Sequence, residues 1–104
     1  MAFDMYIGSM NEKIHYSDED FFMLVIREEG FPNLEWLWDN FYSSPKIYSD
    51  RSSAIISELA KARGVKSIKS RKEFISFIER VTPFFKNAYD SNVTINCVSD
   101  ERTI

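Results

Sequence analysis

From Phe74 onward, the apolar residues Phe74, Phe77, Ile78, Val81, Phe84, Phe85 and Ala88 recur with a helical period as far as Tyr89. That spacing commits the stretch to an amphipathic helix with one deeply apolar face, and the rest of the chain must cover it. Ser70-x-x-Glu73 stands just ahead of the run as a capping box, the serine and the glutamate each placed to satisfy an orphan donor of the first turn. Pro83 lies inside the run, where it removes one backbone hydrogen bond and crowds the carbonyl of Glu79. The expectation is a kink there or two helices meeting.

The ends of the chain carry a different period. Phe3, Met5 and Ile7 alternate with Asp4, Tyr6 and Gly8, and Val93, Ile95 and Cys97 alternate with Thr94, Asn96 and Val98. Both read as half-buried strands. Ser9 to Glu12 is expected to turn the chain, with Ile14 and Tyr16 continuing as a short second strand. Between the ends the spacing predicts further helices. Ser17-Asp18-Glu19-Asp20 supplies an N-cap and three carboxylates for a helix from about Glu19 to Glu29, closed by Gly30. Its segment Phe21 to Ile26 is apolar all round, which implies burial on more than one side or a strand. Leu34, Leu37, Trp38 and Phe41 fall on one face of a helix that follows Pro32 and breaks at Ser43-Ser44-Pro45. Lys46 to Ser49 reads as extended. A helix from about Arg51 to Arg63 follows, capped by Ser49 or Asp50, with Ile55, Ile56, Leu59 and Ala60 inside and Gly64 at its end. The architecture expected is α+β: a single domain over residues 1–104, about four helices packed with a small antiparallel sheet that pairs the first and last strands.

The length suits one core, and 44 % hydrophobic with 15 % aromatic residues is ample to fill it. No apolar run approaches the ~20 residues of a membrane span. The N-terminus lacks the basic flank and apolar stretch of a signal peptide, so a cytoplasmic protein is expected. The single cysteine, Cys97, has no partner for an internal disulfide, in keeping with a reducing compartment.

The chemistry expected is correspondingly sparse. His15 stands near Asp18, Glu19 and Asp20 but lacks a matching nucleophile. Cys97 falls on a strand face beside Val93 and Ile95, the position of a buried small hydrophobe. One His and one Cys do not build a zinc site. Residues 17–20 lack the alternation of a calcium loop, and the glycines at 8, 30 and 64 form no phosphate loop. The expectation is a binding protein without enzyme activity, cofactor or metal.

Charge points to two surfaces, because it is split by position. Residues 1–50 carry ten acids against three bases, a net −7, while residues 51–104 carry ten bases against six acids, a net +4. Such a field governs encounter with partners. The acidic half offers Asp18, Glu19, Asp20, Glu28, Glu29, Glu35 and Asp39 together with Trp36. On the helix after Pro32, Trp36 points almost opposite Leu34, Leu37, Trp38 and Phe41, so it is either an exposed ring among carboxylates or the filling of a second core layer. The basic half offers Lys61, Arg63, Lys66, Lys69, Arg71 and Lys72, with no acid between Leu59 and Lys72 and no interleaved aromatic for base stacking.

The opening Met1-Ala2-Phe3-Asp4-Met5-Tyr6-Ile7-Gly8, followed by a short acidic and aromatic helical domain, resembles small bacterial immunity proteins of contact-dependent growth inhibition and other polymorphic toxin systems. The resemblance implies a cytoplasmic inhibitor that binds the toxin domain of a cognate effector, often a nuclease. A carboxylate surface is suited to such a basic partner, and here the partner-binding residues expected are Asp18, Glu19, Asp20, Glu28, Glu29, Glu35, Trp36 and Asp39. The alternative is a small nucleic-acid-binding or regulatory domain using the basic loop 61–72.

Overall fold

The computed structural model describes residues 3–99. Met1 and Ala2 of the opening octet, and Asp100, Glu101 and Arg102 of the charge count, lie outside the described residues. In chain order come β1 (Phe3–Ile7), β2 (Met10–Ile14), α1 (Glu19–Glu28), α2 (Pro32–Asp39), β3 (Lys46–Ile47), α3 (Ser49–Ala62), α4 (Lys66–Lys69), α5 (Lys72–Asp90) and β4 (Ile95–Ser99), with 3-10 turns at Tyr16–Asp18 and Phe41–Ser43. The strands form one antiparallel sheet in the order β2-β1-β4-β3. The first and last strands therefore pair at its centre, Met5 opposite Cys97, as their alternation leads one to expect. This is an α+β single domain.

The sheet buries one face. Phe3, Met5, Ile14, Ile47, Ile95 and Cys97 are buried, while Tyr6 and Val98 on the other face are exposed. Against the buried side lie the helices, α3 along α5 and α1 along α2. All seven residues of the α5 stripe, Phe74 to Ala88, are buried. Pro83 sits within one helix rather than between two. Pro83 and Glu79 are both on the exposed side, so the carbonyl that loses its donor is on the solvent side, which limits the cost of the proline. α1 is a helix with Phe21, Phe22 and Val25 inside, Leu24 and Ile26 half-buried and Met23 out. The rings of Phe21, Phe22, Trp38, Phe41 and Phe77 meet between these helices at centroid separations of 4.9–5.7 Å.

Several local expectations are corrected. The second strand starts at Met10, not Ile14, because Gly8 and Ser9 alone make the turn, with Gly8 at φ 56° in a conformation that glycine adopts without strain. Glu12, opposite the buried Met5, shares its side of the sheet. There the Arg80 guanidinium of α5 reaches Glu12 at 2.6 Å, Asp18 at 2.6 Å and the Lys13 carbonyl. That one side chain pairs with two carboxylates of the acidic half, offsetting one of their two charges, and covers a carbonyl on an edge strand. Asp18 therefore does not cap α1. Its carboxylate turns back to Arg80 and to the His15 amide, 2.8 Å away.

The helix after Pro32 starts at Pro32 itself and ends at Asp39, with Phe41 buried by the following 3-10 turn. α3 opens at Ser49 without a side-chain cap. The Ser49 hydroxyl instead donates to Asn92 Oδ1 at 2.7 Å. Its buried stripe is Ser52, Ile55, Glu58, Leu59 and Ala62, while Ile56 is half-buried and Ala60 exposed. The capping box at Ser70 and Glu73 does not form. Burial of Ile68 winds residues 66–69 into a short helix that uses Ser70 as its end, so α5 begins only at Lys72. Glu73 pairs instead with Arg71, whose guanidinium hydrogen bond holds the Glu73 carboxyl below its ordinary range.

Candidate functional site: the corner between α2 and α3

The start of α2 is built without local capping. Pro32 has no amide hydrogen, and Glu35 N donates to the Phe31 carbonyl. The two amides between them, Asn33 and Leu34, both donate to the carboxylate of Glu58 on α3, at 3.0 and 2.9 Å. Every orphan donor of the first turn is thus satisfied, two of them by a buried glutamate that also complements the helix dipole. Glu58 further accepts Asn33 Nδ2 at 2.7 Å. That bond fixes the Asn33 amide so that its oxygen faces α3, where it accepts Arg51 Nη1 at 3.0 Å. The Arg51 guanidinium in turn lies 4.0 Å above the ring of Trp36.

Glu58, Asn33, Arg51 and Trp36 therefore form one continuous chain of contacts from the core to the surface. Beside it a concavity of about 320 Å³ is lined by Asn33, Tyr48, Asp50, Arg51 and Ala54. Tyr48 is 60 % exposed, because Ile47 before it points into the sheet's buried side. The outward stripe of α2 carries Pro32, Glu35 and Asp39, all exposed, and among the described residues neither carboxylate has an ion-pair partner. A Trp, an Arg and a Tyr beside exposed carboxylates match the composition of protein-binding hot spots.

Trp36 is accordingly half-buried and covered by a guanidinium, not the open ring that helical-face geometry admits. The other acids disperse. Asp18 is taken by Arg80, and Glu19 stands in the first turn of α1. Asp20 lines a concavity with Arg27 and Arg71, and Glu28 another with Lys66. Glu29, at φ 60° and ψ 152°, bridges α1 to Gly30 in a conformation that strains any residue with a Cβ. Glu19, Asp20 and Glu28 share α1 but fall at its two ends, whereas Glu35, Trp36 and Asp39 lie within one turn of α2. Asp50 and Arg51 join them from α3 and Tyr48 from the residue before it, and sequence reasoning passed over all three as site residues. For Tyr48 the signal was present, since Ile47 facing inward sets its neighbours outward.

The basic stretch is also divided. Lys61 donates to the Gly30 carbonyl at 2.7 Å and lies over Phe31, Arg63 pairs with Glu79 at 2.9 Å, and Arg71 pairs with Glu73. Lys66, Lys69 and Lys72 are exposed and make no ion pair among the described residues.

His15 is exposed at the end of β2, and Cys97 is buried. Burial pushes the Cys97 thiol up from 9.0 to about 12. Native protein is expected to resist thiol reagents at pH 8 and to react on addition of urea. Because the folded state holds the proton more tightly, this group's contribution to stability is complete below about pH 9 and is lost as pH rises toward 12. Equilibrium unfolding at pH 8 and pH 10.5, in wild type and Cys97→Ala, checks the sign.

No helix among the described residues is long and apolar enough to cross a membrane, and no group of three or more potential metal ligands stands together. Compared with protein-family models, characterised proteins and solved structures, the chain gives no match.

Proposed function

We propose that this chain is an immunity-type inhibitor, a binding protein that neutralises a basic toxin domain of the nuclease class by docking it on the corner between α2 and α3. The observation that carries the proposal is the Trp36 and Arg51 pair, positioned from the core through Asn33 and Glu58, with the exposed Tyr48 lining the same concavity as Arg51 and the exposed carboxylates of Glu35, Asp39 and Asp50 on the same two helices. Carboxylates steer a Lys- and Arg-rich partner and raise its association rate, while aromatic and Arg anchors slow its release. Because the cluster is already held in place, binding costs little further ordering. The proposed action is occupancy of the surface that the toxin uses for its own substrate, with no catalytic step by this chain.

The test uses the protein encoded by the reading frame beside this chain's gene. Glu35→Lys with Asp39→Lys is expected to slow its association at least ~10-fold at low salt and to flatten the salt dependence. Tyr48→Ala is expected to speed dissociation by about 10-fold. One further observation favours a second reading, a nucleic-acid-binding domain: the three exposed lysines Lys66, Lys69 and Lys72. Nanomolar, salt-dependent binding of RNA or DNA that is lost when these three are neutralised would replace the first reading by the second.

A further inference from the structure

Arg51 combines three properties that do not usually coincide. Its guanidinium is fixed from two directions, by the Trp36 ring at 4.0 Å and by Asn33 Oδ1 at 3.0 Å. It lines a concavity open to solvent. No carboxylate of the described residues pairs with it, although the chain pairs Arg63, Arg71 and Arg80 with carboxylates at 2.6–2.9 Å. With only one of its five donors engaged among the described residues, the fork is held ready for an incoming planar anion.

We infer that the concavity beside Arg51 is a receptor for a single carboxylate side chain of the partner, one that stands among basic groups. This rests on the reading of the corner as a protein-docking surface and specifies what the partner brings to it. Charge selects that occupant. Asp50 lines the same concavity, and Glu35 and Asp39 are exposed on the adjoining helix, so an extended polyanion such as a nucleic acid strand meets repulsion on either side of Arg51. An isolated Asp or Glu flanked by Lys or Arg is complementary to the whole arrangement: the carboxylate enters the Arg51 fork and its basic neighbours face the acids. A nuclease centre that uses a general base among phosphate-binding residues presents this pattern, so the inference also places docking over the toxin's catalytic groups.

Two blocked tripeptides, acetyl-Lys-Glu-Lys-amide and acetyl-Lys-Gln-Lys-amide, provide the probe. In ¹H–¹⁵N spectra of the full chain, the Glu peptide is expected to shift the Arg51 Nε–Hε and Trp36 indole signals with a Kd of about 1 mM, at least ~5-fold tighter than the Gln peptide. That difference should disappear in Arg51→Gln and shrink in Arg51→Lys, which keeps the charge but not the fork. The comparison of two ligands on wild-type protein stands even if a variant unfolds. Equal shifts from both peptides would overturn the inference while leaving an acidic docking surface in place. No shift at the corner from either peptide at concentrations on the order of 10 mM would overturn it as well. Failure of the docking reading is seen separately, as loss of binding between the wild-type chain and the neighbouring gene's product.

Discussion

Phe22→Ala is expected to destabilise the fold by about 3–5 kcal/mol. Phe22 has no solvent exposure, and its ring meets four others: Phe21 at 5.5 Å, Trp38 at 5.7 Å, Phe41 at 5.2 Å and Phe77 at 5.7 Å. Those rings belong to α1, α2, the following 3-10 turn and α5, so one side chain joins segments that are far apart in sequence. Its removal forfeits the transfer energy of a phenyl group and leaves a cavity that four rigid rings are poorly shaped to fill. A domain of this size has only about 5–15 kcal/mol in total, so the variant should be marginal at 37 °C. Urea unfolding checks this: the midpoint should fall with an unchanged slope, and Phe22→Leu, which refills part of the space, should recover more than half of the loss. A loss below ~1.5 kcal/mol for the alanine variant would show that the ring cluster does not organise the core.

The second large effect is expected at Glu58. Glu58→Ala removes the acceptor of the Asn33 and Leu34 amides and of the Asn33 side chain together, at a cost of about 2–4 kcal/mol, because buried donors left unpaired carry their full desolvation penalty. Glu58→Gln keeps one acceptor oxygen and is expected to cost about 1–2 kcal/mol. A distinctive second consequence follows from the chain of contacts. Asn33 loses the bond that orients it, so Arg51 should lose its seat over Trp36, and the Trp36 indole signal should move even under strongly native conditions. If Glu58→Ala lowers stability but leaves that signal unchanged, the contacts from core to surface are not coupled as described.

The same residues explain what was legible in the sequence. α5 was legible because each inward position is apolar, and the central strand pair was legible because Phe3, Met5, Ile95 and Cys97 alternate without interruption. β2 was not, since its inward position 12 holds a glutamate whose neutralising partner, Arg80, lies 68 residues away. The stripe of α3 was misplaced for a related reason: Glu58 is buried only because α2 brings its amides to it, a fact no local pattern carries. The expected caps are absent because their side chains have other partners: Asp18 pairs with Arg80, Ser49 with Asn92 and Glu73 with Arg71. At the site, helical spacing sufficed to set Glu35 and Asp39 outward. It did not reveal that α3 would lay Arg51 across Trp36, because that contact depends on how two helices dock.

The charge split also resolves into geometry. Asp18 and Glu12 are consumed by Arg80, and Asp20 and Glu28 lie beside bases of the second half. Among the described residues, Glu35 and Asp39 on the outward stripe of α2 and Asp50 on α3 stay exposed without an ion pair beside the Arg51 concavity, and Glu29 does so apart from them. Affinity for the protein encoded beside this chain's gene therefore tests the central claim most directly, measured for wild type, for Glu35→Lys with Asp39→Lys, and for Lys66→Ala with Lys69→Ala and Lys72→Ala. The account predicts that the two charge reversals on α2 weaken binding by about 100-fold, while the three alanines change it less than ~3-fold. Binding that survives the reversals and is lost with the lysines would contradict it.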